Sequence, residues 1–238
     1  MNPKTILALA LSAALFPAAL RAQETNHWRF DVTLYGLAAS MSGDAAVKGI
    51  PANNVKVGFD QIWDNLNFAA MGTVRVGYDR WSVSTDVIYM DLEGNSSSLS
   101  FEAKQLMVQP VLEYRIIPQA MVFAGAMYNN MKIDLGGPLG LNVSDTQGWW
   151  DPVVGSQLSL PLGERFSLNV RGDVGGFSVN SDLVWQAYPY VAYKFARWGS
   201  VQLGYRWIYV DYETGSGRNL FKYDMLSQGP QLGITFSF

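Results

Sequence analysis

Apolar and polar residues alternate along most of this chain, which is the pattern of β-strands because successive side chains of a strand point to opposite faces of the sheet. In residues 166–174 the polar set occupies the odd positions: Ser167, Asn169, Arg171 and Asp173. In residues 229–238 the apolar set occupies the even positions: Pro230, Leu232, Ile234, Phe236 and Phe238. Each of these strands therefore has one apolar face and one polar face.

Ten strands are predicted when the whole chain is read in this way. Most are longer than the five or six residues typical of soluble sheets, and they match the tilted strands that cross a bilayer. Eight strands remain the alternative, because the alternation in residues 120–131 is ambiguous and this segment then belongs to a loop. The ten segments are 28–40, 67–78, 81–92, 99–115, 120–131, 148–161, 165–176, 183–196, 200–212 and 223–238.

The connections between these strands alternate in length. Short turns are expected at 79–80, 116–119, 162–164 and 196–199, and mostly longer loops at 41–66, 93–98, 132–147, 177–182 and 213–222. Barrels of bacterial outer membranes have short periplasmic turns and longer extracellular loops. The pattern predicts an all-β, antiparallel, up-and-down transmembrane barrel with both termini in the periplasm.

The first loop, 41–66, contains a candidate helical turn. Asp60 is placed to cap it, and Ile62, Trp63 and Leu66 would form its apolar side. Two arrangements are open: the turn folds over or into the barrel mouth, or it packs on its own loop at the surface.

Aromatic residues fall where two membrane interfaces are expected, and Trp and Tyr rings favour such interfaces. One belt lies near the short turns and contains Tyr78, Trp81, Tyr114, Tyr193 and Trp198. The other lies near the long loops and contains Tyr89, Trp150, Trp185 and Tyr209.

The N-terminus has the features of a secretory signal peptide: Lys4, an apolar run over residues 6–16, and small residues up to Ala22. We predict a signal peptide at 1–22 and a barrel domain at 23–238.

Removing the signal leaves 15 basic and 20 acidic residues, so there is no basic face for nucleic acid. The chain has no cysteine, which excludes disulfides and thiolate metal sites. No later apolar run is long enough for a spanning helix.

The polar face of the predicted strands supplies a set of inward-pointing residues. The turn at 79–80 places Thr73 opposite Asp86, with Arg75 on the diagonal, where an ion pair with Asp86 is expected. Charges in a narrow interior need partners, because an unpaired charge removed from water is costly. The predicted lumen network comprises Arg75, Asp86, Glu113, Asp151, Arg171, Asp173, Lys194, Arg206 and Gln231.

Catalysis has little support in the sequence. The single histidine, His27, precedes the first strand and lies at the periplasmic end of the predicted barrel. A nucleophile or acid–base pair at the outer rim would have no histidine base. We predict no catalytic residue, no cofactor and no metal site.

Several segments are similar to a group of small proteobacterial outer-membrane β-barrel proteins known chiefly by that architecture, and more distantly to the OmpA and OmpW barrels. The C-terminal strand ending in Phe236 and Phe238 also resembles the signal that the barrel assembly machinery reads. The resemblance implies fold and location, with outer-membrane lipid and the assembly machinery as partners, and no activity. It is carried by residues 57–68 (VGFDQIWDNLNF), 81–92, 150–155 (WDPVVG), 171–177 (RGDVGGF) and 204–206 (GYR).

Together these observations predict a monomeric, closed or very narrow barrel with a structural or surface-interaction role. Water-filled porins need about sixteen strands, whereas side chains fill a barrel of ten. A small passive channel is the alternative, and a lipid-modifying enzyme is a more distant one.

Overall fold

The computed structural model describes residues 28–95, 100–137 and 142–238, so the predicted signal peptide (1–22) and His27 lie outside the described residues. The described part contains twelve strands, one short α-helix and a 3₁₀ turn at Gly217–Asn219. The elements are β1 Trp28–Leu37, β2 Ser40–Val47, β3 Ile50–Val57, α1 Phe59–Asp64, β4 Leu66–Tyr78, β5 Trp81–Asn95, β6 Ser100–Ile117, β7 Ala120–Gly136, β8 Asn142–Leu162, β9 Phe166–Gly176, β10 Leu183–Ala196, β11 Gly199–Thr214 and β12 Phe221–Ser237.

The sheet closes on itself as an antiparallel barrel. From β4 to β12 each strand pairs with the next, and β1 closes the cylinder by pairing with both β4 and β12. The ten-stranded up-and-down barrel is confirmed. The eight-strand alternative is wrong, because β7 pairs along its length with both β6 and β8.

Segment 41–66, expected to be a loop, carries two further strands. The wall strand β1 is interrupted at residues 38–39 and continues as β2, and both halves pair with β12. A Cβ on Gly229 of β12 would lie 2.0 Å from the carbonyl oxygen of Ala38, so glycine lets this interruption pack against β12. From β2 the chain turns back into β3 through Lys48 and Gly49, whose φ angles of 50° and 74° suit a tight hairpin.

The helix predicted in the same segment exists, but its cap and its apolar side differ from the prediction. Gly58 is the N-cap, and its backbone N–H donates to the Gln61 side chain at 3.0 Å, so the capping role predicted for Asp60 is wrong. Ile62 is buried in a cluster with residues of β1, β4 and β5. Trp63 is 57% exposed and lies against the Phe59 ring at a tilt of 41°, so it is not part of the buried side.

The outer surface of the barrel is an apolar band. Its most exposed side chains include Val74, Val83, Leu112, Val154, Leu158, Leu203 and Leu232. Aromatic pairs border the band at both ends. The periplasmic pairs are Trp28–Tyr78, Trp81–Tyr114, Phe166–Tyr193 and Trp198–Phe236. The extracellular pairs are Phe68–Tyr89, Tyr128–Trp150 and Trp185–Tyr209.

A closed barrel with such a band and two aromatic girdles is built for a bilayer, because closure lets the wall strands pair their backbone groups with one another along most of their length. The chain is an outer-membrane β-barrel. Among the described residues, no helix has both the length and the apolar character needed to span a membrane.

Beyond the extracellular girdle the strands continue and the polarity of the two faces reverses. The outer face there carries ion pairs, with Lys104 Nζ 2.6 Å from Glu102 and Lys132 Nζ 2.6 Å from Asp134. The inner face carries Met131, Ile133 and other apolar side chains. We call this part the extracellular extension; it follows the pattern of a soluble barrel, polar outside and apolar inside.

The reversal predicts that an arginine introduced on the outer face destabilises the barrel more on the lipid-facing band than on the extracellular extension. Leu203→Arg, on the lipid-facing band, is expected to lower the free energy of unfolding by about 2–4 kcal/mol. Ser144→Arg, on the outer face of the extension opposite Asp134, should change it by less than about 0.5 kcal/mol. Denaturant unfolding in lipid vesicles measures the free energy of unfolding of both variants. Equal losses of stability would contradict the assignment of the lipid-facing band.

Candidate functional site

The polar lumen is the candidate functional site, and its first centre is Glu113. This carboxylate is nearly inaccessible to solvent and receives two arginines: Arg75 Nε lies 2.8 Å from Oε2, and Arg171 Nη1 lies 3.1 Å from Oε1. Ser84 Oγ donates to Oε1 at 2.8 Å. The Arg171 guanidinium also stacks over the Phe123 ring at 4.0 Å, a cation–π contact.

The second centre is Asp86 on β5, the strand that pairs with β6, which carries Glu113. Arg206 Nη2 donates to its Oδ2 at 2.7 Å, while Tyr35 OH and Thr73 Oγ1 donate to Oδ1 at 2.9 and 2.7 Å. Arg206 also donates to Tyr35 OH and to the side-chain oxygen of Gln186. These contacts join β1, β4, β5, β10 and β11 through one buried carboxylate.

The ion pairs differ in detail from the sequence prediction. Thr73 does lie opposite Asp86, as the turn at 79–80 implies. Arg75, however, forms its ion pair with Glu113 on β6. Asp86 forms its ion pair with Arg206, which lies on the other side of the barrel. Barrel closure brings Arg206 to Asp86, and adjacent-strand pairing alone does not reveal it.

Of the remaining members of the predicted network, Asp173 and Gln231 lie beside these two centres in the same part of the lumen, whereas Lys194 and Asp151 lie farther along the barrel. Asp173 and Gln231 point inward and are buried, and Asp173 Oδ1 has no hydrogen-bond partner among the described residues. Lys194 points inward at the periplasmic end and is exposed. Asp151 is buried at the extracellular end of the lumen.

Asp151 holds an extracellular loop. The Ser181 backbone N–H and hydroxyl donate to its two carboxylate oxygens at 2.8 and 2.6 Å, and Trp149 Nε1 donates to Ser181 Oγ at 3.0 Å. Asn180 adds a bond from its side-chain amide to the Trp150 carbonyl at 2.6 Å. The loop between β9 and β10 is therefore fixed against the middle of β8.

Several residues of the site were missed by the sequence analysis. Tyr35, Gln109 and Gln186 link the charged groups, with Gln186 Nε2 donating to Gln109 Oε1 at 2.8 Å. Their inward positions follow from strand alternation, which was the available signal. Ser181 lies in a loop, where no periodicity identifies an inward residue.

A cavity of about 250 Å³ occupies the lumen between the two centres and the periplasmic end. Its lining is charged, hydroxyl-bearing or amide-bearing apart from two tyrosine rings and one alanine. Representative lining residues are Asp31, Arg75, Asp86, Asn169, Arg171, Asp173, Gln202 and Thr235.

The extracellular half of the lumen is filled by apolar side chains, which we call the apolar plug. Trp149 and Tyr212 stack at 3.9 Å between ring centroids, and Phe221, fully buried, packs edge-on against Trp149. The plug comprises Val47, Ile88, Met107, Met127, Met131, Trp149, Val153, Val184, Ile208, Val210, Tyr212, Phe221, Tyr223 and Met225. Val111 and Phe123 belong to the same cluster but lie lower in the barrel, at the level of Glu113. The plug lies on the extracellular side of the polar cavity.

The outer face of the extension has an acidic row on neighbouring strands. Asp224 lies directly opposite both Asp211 and Asp44 in the strand register. Partial burial and the carboxylates of Asp224 and Asp182 raise the pKa of Asp211. Among the described residues, no three His, Cys, Asp or Glu side chains are arranged to hold a metal ion.

Comparison with known proteins gives matches of low identity to solved structures. No family model matches the sequence, and no curated protein is similar to it. The attachment invasion locus protein Ail of Yersinia pestis has a TM-score of 0.43 at 11% identity over 90% of this chain and 100% of Ail. The translocator domain of autotransporter NalP from Neisseria meningitidis has a TM-score of 0.44 at 14% identity, over 99% and 96%. The Escherichia coli outer-membrane protease OmpT has a TM-score of 0.47 at 10% identity, over 92% and 99%. These likenesses carry no argument about activity.

The Glu113 centre predicts a large stability loss on neutralisation. Glu113→Gln removes the carboxylate charge that Arg75 and Arg171 share, and breaking such a buried pair costs about 3–5 kcal/mol. Glu213→Gln, at the exposed end of β11, is the matched control and should cost less than about 0.5 kcal/mol. Denaturant unfolding of both refolded variants is the measurement. A Glu113→Gln barrel as stable as the control would refute the role assigned to this carboxylate.

Proposed function

We propose that this protein is a non-conducting, non-catalytic outer-membrane barrel whose extracellular extension serves a structural or surface-interaction role. The observation that carries the proposal is the apolar plug. Ion permeation through it would require a charge to cross a packed apolar layer, which is costly without partners. The buried loop anchor at Asp151 and Ser181 supports the same view, because it fixes the extracellular end.

The lumen network belongs to this proposal as a structural element. Glu113 and Asp86 each bind groups from several strands, so the network ties opposite walls of the barrel together. Such networks satisfy their charges internally, which favours a fixed interior over a path for mobile ions.

The extension is the proposed contact surface. Its outer face is charged and rises above the membrane on long hairpins, such as β5–β6 and β7–β8. We further propose that the barrel is a monomer in outer-membrane lipid, that residues 1–22 are removed on export, and that the strand ending in Phe236 and Phe238 is read by the assembly machinery.

Planar-bilayer recording tests the closed barrel. The refolded wild-type protein is expected to give no reproducible single-channel steps, because the plug blocks the lumen. A variant with Trp149→Ala, Tyr212→Ala and Phe221→Ala removes the central rings of the plug and should conduct, provided that heat-modifiable gel mobility shows it folded. Reproducible steps from the wild type would refute the proposal and favour the small passive channel.

A lipid-hydrolysis assay tests the absence of catalysis. Neither the wild type nor His27→Ala is expected to release fatty acid from phospholipid vesicles, because the chain offers no histidine other than His27 as a base. Turnover in the wild type would contradict a non-catalytic barrel. If that turnover survived His27→Ala, the active base would be a different residue.

A further inference from the structure

The barrel wall is split on one side in its extracellular half. The register between β1 and β4 ends at Leu34 opposite Gly72, although β4 continues to Leu66 and remains paired with β5. Above Leu34 the chain of β1 and β2 follows β12, and β3 pairs with β2. Among the described strands, none pairs with the second edge of β4 over residues 66–71. We call this gap in pairing the lateral split.

The lateral split begins within the lipid-facing band. Gly72 lies six residues above Tyr78 of the periplasmic girdle, about 20 Å along the strand. Phe68, which belongs to the extracellular girdle, lies about 13 Å further on. The lower part of the split therefore faces the outer leaflet, and its upper part lies at headgroup level.

Helix α1 occupies the split. Ile62 is buried in one apolar cluster with Ala39 from the β1–β2 side and with Met90 and Leu92 of β5, so this cluster spans the two sides of the gap. Phe59 and Trp63 are exposed on the same helix, 5.8 Å apart between ring centroids. Because β3 ends at Val57 opposite Met41, α1 lies near the level of the extracellular girdle.

A mostly apolar chamber adjoins this cluster on the inside of the barrel. It has a volume of about 30 Å³, and its lining includes Ala39 and Met90, which belong to the same cluster as Ile62. Methionines contribute much of the remaining wall, with Met71 at the edge of the split and Met107 and Met225 behind it. Methionine side chains are flexible and repack around apolar ligands.

We propose that the lateral split is a binding site for one acyl chain of an outer-leaflet lipid, whose terminal carbons take the place that Ile62 holds in this structure. The site continues the lipid-facing band, so a lipid reaches it by lateral diffusion. An amphiphile suits both of its parts: the chamber accepts hydrocarbon, and the unpaired edge of β4 offers backbone hydrogen-bonding groups at headgroup level. Ile62 acts as the latch of the site.

Single cysteines test access from the bilayer, and the chain has no cysteine of its own. Met71→Cys lies at the split, Leu203→Cys on the lipid-facing surface, and Met131→Cys inside the plug on β7. Each protein is refolded into phosphatidylcholine vesicles and treated with N-dodecylmaleimide. Leu203→Cys should react fastest and Met131→Cys should resist. Adding Ile62→Ala should speed labelling of Met71→Cys roughly tenfold, because it removes buried apolar contacts that hold the latch closed.

Three outcomes would overturn the proposal. If Ile62→Ala leaves the labelling rate of Met71→Cys unchanged, α1 is not a latch. An equal acceleration at Met131→Cys would indicate general loosening of the barrel. Faster labelling of Met71→Cys by a charged, water-soluble maleimide than by the alkyl reagent would place the access route in water.

Lipid retention tests occupancy. The protein is refolded with one phosphatidylcholine, transferred to detergent and weighed by native mass spectrometry, and the wild type is expected to retain one lipid. Met71→Trp fills the chamber and should abolish retention, whereas Leu203→Trp puts the same side chain on the band and should preserve it. No retained lipid in the wild type, or equal retention by Met71→Trp, would refute the site. Neither result bears on conductance, so this proposal and the closed barrel fail separately.

Discussion

The constraint on which this structure depends is that backbone N–H and C=O groups inside a bilayer must be paired within the protein. A row of strands meets it only when the first strand returns to the last, and here β1 does so by pairing with both β4 and β12. Closure then sets the remaining geometry. It directs one face of every strand to lipid and the other to a narrow lumen, and it brings distant residues such as Asp86 and Arg206 into contact.

The membrane part of the barrel is surrounded by lipid, and the extracellular extension is surrounded by water. In the membrane, apolar side chains face lipid and charged side chains point inward. There Glu113 and Asp86 form ion pairs with arginines, because an unpaired charge in the lumen is costly. Above the membrane, water surrounds the wall, so charges return to the outside and apolar side chains fill the centre. The apolar plug is the product of this change of solvent. It leaves the polar cavity facing the periplasm and makes a closed barrel the function that the geometry supports best.

Much of this could be predicted from alternation. The strand positions, the tight turn at 79–80, the inward set from Arg75 to Arg206 and the girdle pairs all follow from a period of two and the chemistry of interfaces. The errors share a cause. Segment 41–66 has few strong alternations, since β2 and β3 lie partly above the membrane, and Trp63 looked like a core residue although it is exposed beside α1. The alternation rule also expected a polar lumen at every height.

The sequence by itself determined the barrel, its location in the outer membrane and which face of each strand is polar, because side-chain alternation is a local property of an extended backbone. Tertiary structure alone decided that Arg75 pairs with Glu113, that Ser181 is held by Asp151, and that Ile62 lies in a lateral split of the wall. These contacts join residues from distant parts of the chain. Their partners are set by the tilt and closure of the barrel, which no local pattern encodes.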